Sequence, residues 1–399
     1  MLVLLLLEME FSRNSKQRGM EDKIFNLPRD VLNCILDHLP VRDAARTSIL
    51  SRKWRYIWAN HPNLVLEPKN MFGDLAYCSS DDFIDMVNGI LLQHIGPILT
   101  FKVNLSDVDI TQDPYVDRWI LYLSRNGLRK LTLDNSSHDL YALPSYVFLC
   151  QELTHLSLSN CIFKRPCGTT GSFHSLKNLS LNQVAFSPEL VLKENRGVKL
   201  SCFMNCKSIT RAYLLLAKEV ESFDPNERIN LASLFEHWSQ ISKLTLDGHH
   251  LQCLAADSVN SALPIKVNNL RDLLLFGINF TDLDQISCIL CLLHRSPRLN
   301  NLEIWVKVSA VSADKNPALQ YLQEHICISK HISSLQTLMI KYFQGSRAQM
   351  LFVKLILACC PSLERITFVN NKVMASNLSN ILKKLLLFPR VSTKAHIVF

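Results

Sequence analysis

Glycine is scarce in this chain, at 11 of 399 residues, which excludes collagen-like and glycine-rich low-complexity classes. The 15 prolines and a hydrophobic content of 48% argue against a disordered chain. No block of five or more like charges occurs, so the formal net charge of +8 is spread out. Such an excess reads as solubility, and nucleic acid is not an expected partner. Long apolar runs are missing too. Leu2 to Leu7 form a short run, far below the roughly 20 residues needed to span a bilayer. No basic segment precedes it and Glu8 and Glu10 follow it, so it does not read as a signal peptide, and no membrane partner is expected. Met20 opens the segment MEDKIF, and residues 1–19 are expected to be a disordered N-terminal extension or an artefact of the gene model.

Cysteine is abundant, at 13 residues, but does not form a framework. The number is odd, and residues such as Cys34 in VLNCIL and Cys150 in YVFLC sit in apolar runs. Free cysteine there acts as a small hydrophobe, and reduced thiols place the chain in the nucleus or cytoplasm. Cys288 and Cys291 have C-x-x-C spacing, but no second pair lies nearby at ligand distance. Core packing is the reading for them, as for Cys359-Cys360 and Cys202/Cys206. Catalytic motifs are missing as well. There is no phosphate loop, no G-x-G-x-x-G, no H-E-x-x-H and no G-x-S-x-G. The adjacent pair His249-His250 is a poor joint ligand set on a strand and reads as a solvated turn. No cofactor, metal or enzyme activity is expected.

What is present begins with residues 24–58, IFNLPRDVLNCILDHLPVRDAARTSILSRKWRYIW. Val31, Leu32, Ile35, Leu36 and Leu39 recur with a period near 3.6, so the spacing predicts a short helix between Pro28 and Pro40. A second helix starts near Asp43, carrying Ala44, Ala45, Ser48 and Ile49. A third follows Ser51 with Trp54, Tyr56, Ile57 and Trp58. A three-helix module of this size has too small a core to be very stable alone and leans on a neighbour or partner. Leu27, Pro28 and the Val31/Ile35 stripe are the surface available for that, although spacing alone fits internal packing better.

The rest of the chain repeats itself. The pattern L-x-x-L-x-L, with Ile or Phe allowed, starts at Leu128, Leu153 and Leu176, then at Ile241, Leu270, Leu299, Leu335 and Leu363. L-x-L puts two side chains on one face of a short strand. One such unit cannot bury its own apolar face, but stacked units share a core and form a parallel sheet. Between 181 and 241 only a degenerate unit is visible, through Ile209, Ala212 and Leu214. Segments 283–295 and 348–360 read as amphipathic helices between strands, ended by Pro297 and Pro361.

The first module resembles a plant-type F-box. The matching landmarks are Leu27-Pro28, Val31-Leu32, Ile35-Leu36, Leu39-Pro40, Ala44, Thr47-Ser48, Leu50-Ser51, Trp54-Arg55-Tyr56 and Trp58. The last sixty residues resemble the FBD module of plant F-box proteins through Phe343, Gly345, Phe352-Val353-Lys354, Leu363-Glu364, Phe388-Pro389-Arg390 and Ala395. The resemblance is thus to the plant F-box, leucine-rich-repeat and FBD family. It implies an α/β chain: a three-helix F-box, a leucine-rich-repeat solenoid with a curved parallel sheet and outer helices, and a C-terminal FBD cap. The expected boundaries are 20–66 for the F-box, 67–125 for a linker and the first part of the array, 126–340 for the repeats and 341–399 for the FBD module. The implied function is that of a substrate-recognition adaptor in an SCF-type cullin-RING ubiquitin ligase. The F-box would dock on a Skp-type adaptor, and through it on a cullin, with Leu27, Pro28, Val31, Leu32, Ile35, Leu36 and Leu39 as contact candidates. The repeats would hold a target protein. Two alternatives remain beside it: a receptor for a small, hormone-type ligand, and an F-box scaffold outside any ligase.

A target would meet the strand positions that alternate with the core leucines. They include Arg129, Lys130, Thr132, Thr154, His155, Ser157, Lys177, Asn178, Ser180, Lys243, Arg271, Asp272, Asn301, Glu303, Gln336, Glu364 and Arg365. Arg129, Lys130, His155, Lys177, Lys243 and Arg271 are the target-binding candidates. Their basic excess suits an acidic ligand or patch, but it equally suits a solvated face.

Overall fold

The structure is a computed structural model. It describes residues 27–72, 79–106, 108, 114–135, 140–163, 173–186, 203, 206–215, 235, 237–258, 267–307, 317–328, 332, 334–369 and 378–399. The expectation for residues 1–19 therefore falls outside the described residues. The chain divides into two compact units, Met1–Phe173 and His174–Phe399.

Unit 1 opens with three helices, α1 (Arg29–Asp37), α2 (Val41–Arg46) and α3 (Arg52–Ala59), with a 3-10 turn over Thr47–Ile49. Pro28 and Pro40 stand at the N-caps of α1 and α2. Each proline sets its own φ and lacks an N–H that the first turn could not have satisfied. The α2 helix begins at Val41, two residues earlier than its spacing suggested. Ser51 caps α3, its Oγ accepting from Trp54 N at 3.2 Å. Leu32, Leu36, Ala44, Trp54 and Ile57 form the module's core, with Leu27, Ile35, Leu39, Leu50 and Trp58 packed around it.

Three residues after α3, the strand β1 (Asn63–Leu66) begins. It is followed by α4 (Pro68–Phe72), α5 (Ser80–Gln93), β2 (Thr100–Asn104), α6 (Tyr115–Ser124), β3 (Lys130–Asp134), β4 (Tyr141–Leu143), β5 (His155–Ser159) and β6 (Cys161–Phe163). Strands β1, β2, β3 and β5 pair in parallel, and β4 pairs with β6 beside them.

Unit 2 contains β7 (Asn178–Asn182), β8 (Ala185–Phe186), β9 (Arg211–Leu215), β10 (Lys243–Asp247), α7 (Gly248–Ser258), β11 (Asp272–Ile278) and α8 (Leu283–Arg295). It continues with β12 (Asn301–Val306), α9 (Pro317–Ile328), β13 (Thr337–Lys341), α10 (Arg347–Cys359), β14 (Arg365–Val369), α11 (Leu378–Leu386) and β15 (His396–Val398). Strands β7, β9, β10, β11, β12, β13, β14 and β15 pair in that order, all parallel. The strand β9 is the degenerate unit, and its Ala212 and Leu214 are buried as that reading requires.

One backbone device recurs at most steps. The residue before a strand offers its carbonyl to two successive amides of the next repeat. Lys177 O accepts from Thr210 N and Arg211 N, Arg271 O from Asn300 N and Asn301 N, and Asn300 O from Gln336 N and Thr337 N, all at 2.9–3.1 Å. The same arrangement runs through Pro62, Leu99 and Arg129 in unit 1. It satisfies amides at the strand entrance that would otherwise be left unpaired. Along each strand the core residues alternate with half-exposed or exposed ones, as in β12 and β13. The helices α7, α8, α9 and α10 pack neighbour to neighbour, and Phe280 meets Phe352 edge to face at 5.5 Å.

Two buried glutamines do equivalent work at the entrances of α8 and α10. Gln285 Oε1 accepts from Asn279 N. Gln349 Oε1 accepts from Gln344 N at 2.9 Å and Gly345 N at 3.0 Å. Gly345 has φ +68°, a conformation open to glycine at little strain. Replacing Gln349 with Leu leaves two amides without their acceptor. Gln349→Leu is therefore expected to lower stability in urea denaturation by about 2–4 kcal/mol. Gln320→Leu on the exposed side of α9 should change it by less than about 0.5 kcal/mol.

Candidate functional site

The seven contact candidates of the first module do not share one environment. Leu32 and Leu36 are each 2% exposed and turn into the three-helix core. Leu27, Ile35 and Leu39 are half-buried against that core. Pro28 is exposed, and Val31 is 43% exposed. A partner approaching the folded module therefore meets Pro28 and Val31, flanked by Leu27, Ile35 and Leu39. Ile49 and Tyr56 also stand exposed on the module.

The module is joined to β1 by a polar seam. Asp37 at the end of α1 accepts from Asn63 Nδ2 at 2.9 Å and lies 3.2 Å from His61 Nε2. His61 is buried, and it stands three residues before Leu64, where other repeats carry a leucine or isoleucine. Burial lowers its pKa from the ordinary 6.5, against the raising effect of Asp37. Burial lowers the pKa of His94 as well, and His61 nearby adds to that shift.

On the repeats, the parallel register sorts the exposed positions into rows. In unit 1, Lys130 and His155 are register partners, while Arg129 before β3 lies 3.5 Å from Glu152, both exposed. In unit 2, Lys177 and Arg271 lie just before β7 and β11, and Lys243 pairs with Asp272 at 2.9 Å. Burial pushes the Asp272 carboxyl up, but hydrogen bonds from Asn301 and Lys243 and the positive charges of Lys243 and Arg271 outweigh it, leaving its pKa below the ordinary value. The six target-binding candidates are thus divided between the two units, three in each.

The residues that dominate the exposed strand face of unit 2 are different ones. Its second row runs Ser180, Tyr213, Thr245, Leu274, Glu303, Met339, Thr367, Val398. A third row is made of Asn182 with Leu215, Asp247 with Phe276, and, across a register shift, Trp305 with Lys341 and Val369. Phe276 and Trp305 lie with ring centroids 5.1 Å apart, and Trp305 and Tyr342 meet edge to face at 6.2 Å. Trp305 Nε1 donates to Glu303 Oε1 at 2.6 Å. Lys341 Nζ reaches the same carboxylate at 2.8 Å and lies 4.2 Å from the indole centroid. The signal for this cluster was a break in polar alternation within DLLLFGI, NLEIWV and TLMIKY, all in adjacent strands. A search for core leucines passes over it.

His250 is not in a solvated turn. It is buried in the first turn of α7, with its ring Nδ1 2.8 Å from Asp247 Oδ1 and its backbone N–H donating to the same oxygen. Cys288 is buried in α8, which raises its pKa, and burial pushes the Cys360 thiol up to about 12. Both are poor nucleophiles at neutral pH. Among the described residues no group of three or more His, Cys, Asp or Glu is placed to hold a metal ion. No described helix is long and apolar enough to cross a membrane.

A helical module of this kind in front of stacked strand–helix repeats defines a class. Residues 24–66 match the family model of the F-box domain, and residues 116–192 match the model for the leucine-rich repeats of FBD-associated F-box protein At5g56370. The chain therefore carries an F-box and leucine-rich repeats. It is similar along most of its length to the F-box/FBD/LRR-repeat protein At1g13570 of Arabidopsis thaliana. The two are 28% identical over 416 residues, which cover 95% of this chain and 98% of that protein. It is also similar to the F-box/LRR-repeat protein At4g14103 of the same plant, at 35% identity over 35% of this chain and 37% of that protein. Among solved structures, it is similar to the LRR protein LIC12759 of Leptospira interrogans, at 15% identity and a TM-score of 0.36. That match covers 85% of this chain and 71% of the other.

The seam at His61 has a pH consequence. The folded state holds His61 and His94 below their ordinary value of 6.5, so the unfolded chain binds protons first as pH falls. Stability contributed by the neutral rings is complete above pH 6.5 and declines as pH drops below it. The melting temperature of unit 1 is expected to fall between pH 7.5 and 5.5. The double variant His61→Gln, His94→Gln should show a shallower slope in the same calorimetric series.

Proposed function

We propose that the chain is the substrate-recognition adaptor of an SCF-type cullin-RING ubiquitin ligase. The F-box docks on a Skp-type adaptor, and through it on a cullin, while the repeats hold a target protein. The observation that carries this reading is the F-box match over residues 24–66 together with the state of α1. Its inner side is committed to the module's core, and Pro28 and Val31 are left exposed beside half-buried Leu27, Ile35 and Leu39. An apolar stripe of this kind beside a small core suits a docking helix. The protein contributes proximity: it raises the local concentration of target lysines near the charged enzyme and has no bond-making residue of its own.

The burial pattern also decides which variants test the reading. Leu32→Asp or Leu36→Asp places a charge in the core, and loss of binding would then report unfolding. Val31→Asp combined with Pro28→Ala acts at exposed positions. Co-expressed with a Skp-type adaptor, the unsubstituted chain is expected to co-purify with it. The Val31→Asp, Pro28→Ala variant should lose at least about tenfold in capture, as expected for central contact residues, while its far-ultraviolet circular dichroism stays that of the unsubstituted chain. Undiminished capture by that variant, or no capture by the unsubstituted chain, overturns the docking mode.

A further inference from the structure

The exposed strand face of unit 2 is unlike a solvated sheet surface. Tyr213, Leu215, Leu274, Phe276, Trp305 and Met339 occupy positions in two adjoining rows where alternation calls for polar groups. Phe276 remains 38% exposed and Tyr342 36%. The cluster is also held in place. The indole of Trp305 is fixed at its nitrogen by Glu303 and over its face by Lys341. In β11 the register with β12 shifts between Leu275 and Ile278, so that Phe276 and Gly277 together stand opposite Trp305. Gly277 has φ +65°, the mark of a bulge that re-aims a neighbouring side chain. Tyr342 lies in the left-handed region at φ 58° and donates its amide to Val369 O at 2.8 Å. Such a conformation is costly for a tyrosine and is kept where the surroundings enforce it.

The charges on this face are not balanced. Three of its acids are engaged within the protein, Asp247 with His250, Asp272 with Lys243 and Asn301, and Glu303 with Lys341 and Trp305, while Glu364 stands exposed beside Arg365. Arg211, Lys307 and Arg365, at exposed positions of the same face, make no ion pair among the described residues. The surface thus offers an apolar, aromatic centre and free cations around it. A second copy of this chain would bring like charges together, which opposes association. Nucleic acid would need open ring faces for bases to stack on. Here Lys341 covers a face of Trp305, while Phe276 and Tyr342 meet it at 43° and 71°.

We infer that the Phe276–Trp305–Tyr342 face is the target-recognition site, and that it takes an acidic peptide segment anchored by a bulky apolar side chain. The anchor packs against Trp305, Leu274 and Met339, and the acidic residues beside it meet Arg211, Lys307 and Arg365. This deepens the adaptor reading, on which its biological purpose rests, but the binding itself does not require the F-box.

The test is to pan a displayed library of random dodecapeptides on the full chain and to synthesise the selected peptides with a fluorescent label. The peptides are expected to be enriched in Asp or Glu around Trp, Phe or Leu. Trp305→Ser and Phe276→Ser should each weaken binding about tenfold or more. Arg211→Glu with Arg365→Glu should weaken it severalfold and flatten its salt dependence. Tyr342→Gly should weaken binding with no loss of melting temperature, because glycine accepts the left-handed backbone; a purely structural tyrosine would not behave so. Recovery of no peptide, of basic peptides, or of peptides indifferent to these variants overturns the inference. So does a fifteen-nucleotide polyuridine probe that binds more tightly than any selected peptide. Capture of the Skp-type adaptor is measured on the same variants. Retained adaptor capture with no peptide selectivity sinks this inference alone, whereas lost adaptor capture with intact peptide binding sinks only the ligase reading.

Discussion

Residue-for-residue alignment of parallel neighbours is the constraint on which this structure depends. Lys243 stands beside Asp272, Asp272 beside Asn301, and Asn301 beside Thr337, without stagger. A position in one strand therefore becomes a row across the sheet. The inner rows, such as Leu244, Leu273, Leu302 and Leu338, are buried throughout. A strand slipped by one residue would place polar groups there and expose every leucine. The doubly accepting carbonyl at most strand entrances fixes that alignment, so the backbone and the apolar side chains specify the same register.

The same constraint explains what could be read from the sequence. Repeats with a leucine or isoleucine three positions ahead of an L-x-L pair announced themselves, and β9 was visible through Ile209, Ala212 and Leu214. The first strand was hidden because His61 holds the leading position. A buried histidine there depends on Asp37, a residue 24 positions away on another element, and no local pattern shows such a pairing. The division of the α1 stripe was hidden for a related reason. Period 3.6 places Val31, Leu32, Ile35 and Leu36 on one side of a helix, but the position of Trp54 decides which of them turn inward. The aromatic face was hidden because its residues break the rule used to find strands. The broken alternation became meaningful only when three such strands proved to be neighbours.

The two candidate surfaces draw on different physics. On α1, the exposed residues are what remains after a small core has taken the best of a helix, so the module's stability and the proposed docking stripe compete for the same side chains. On unit 2 the core is complete without the exposed rows, since Leu273, Leu275, Leu302 and Ile304 already fill it. Aromatic residues on the opposite face are therefore free to vary without endangering the fold, which is where a repeat protein accommodates specificity.

Only Asn60, His61 and Pro62 separate α3 from β1, and they are engaged. Asn60 Nδ2 donates to Tyr56 O, His61 lies against Asp37, and Pro62 O accepts from Leu99 N and Thr100 N. A flexible tether spreads its cargo through a volume set by its length, so local concentration falls as the tether grows. This joint has no slack to lengthen. The F-box is mounted on the first repeats of unit 1 as a bracket, and its orientation there is set by chain geometry instead of diffusion.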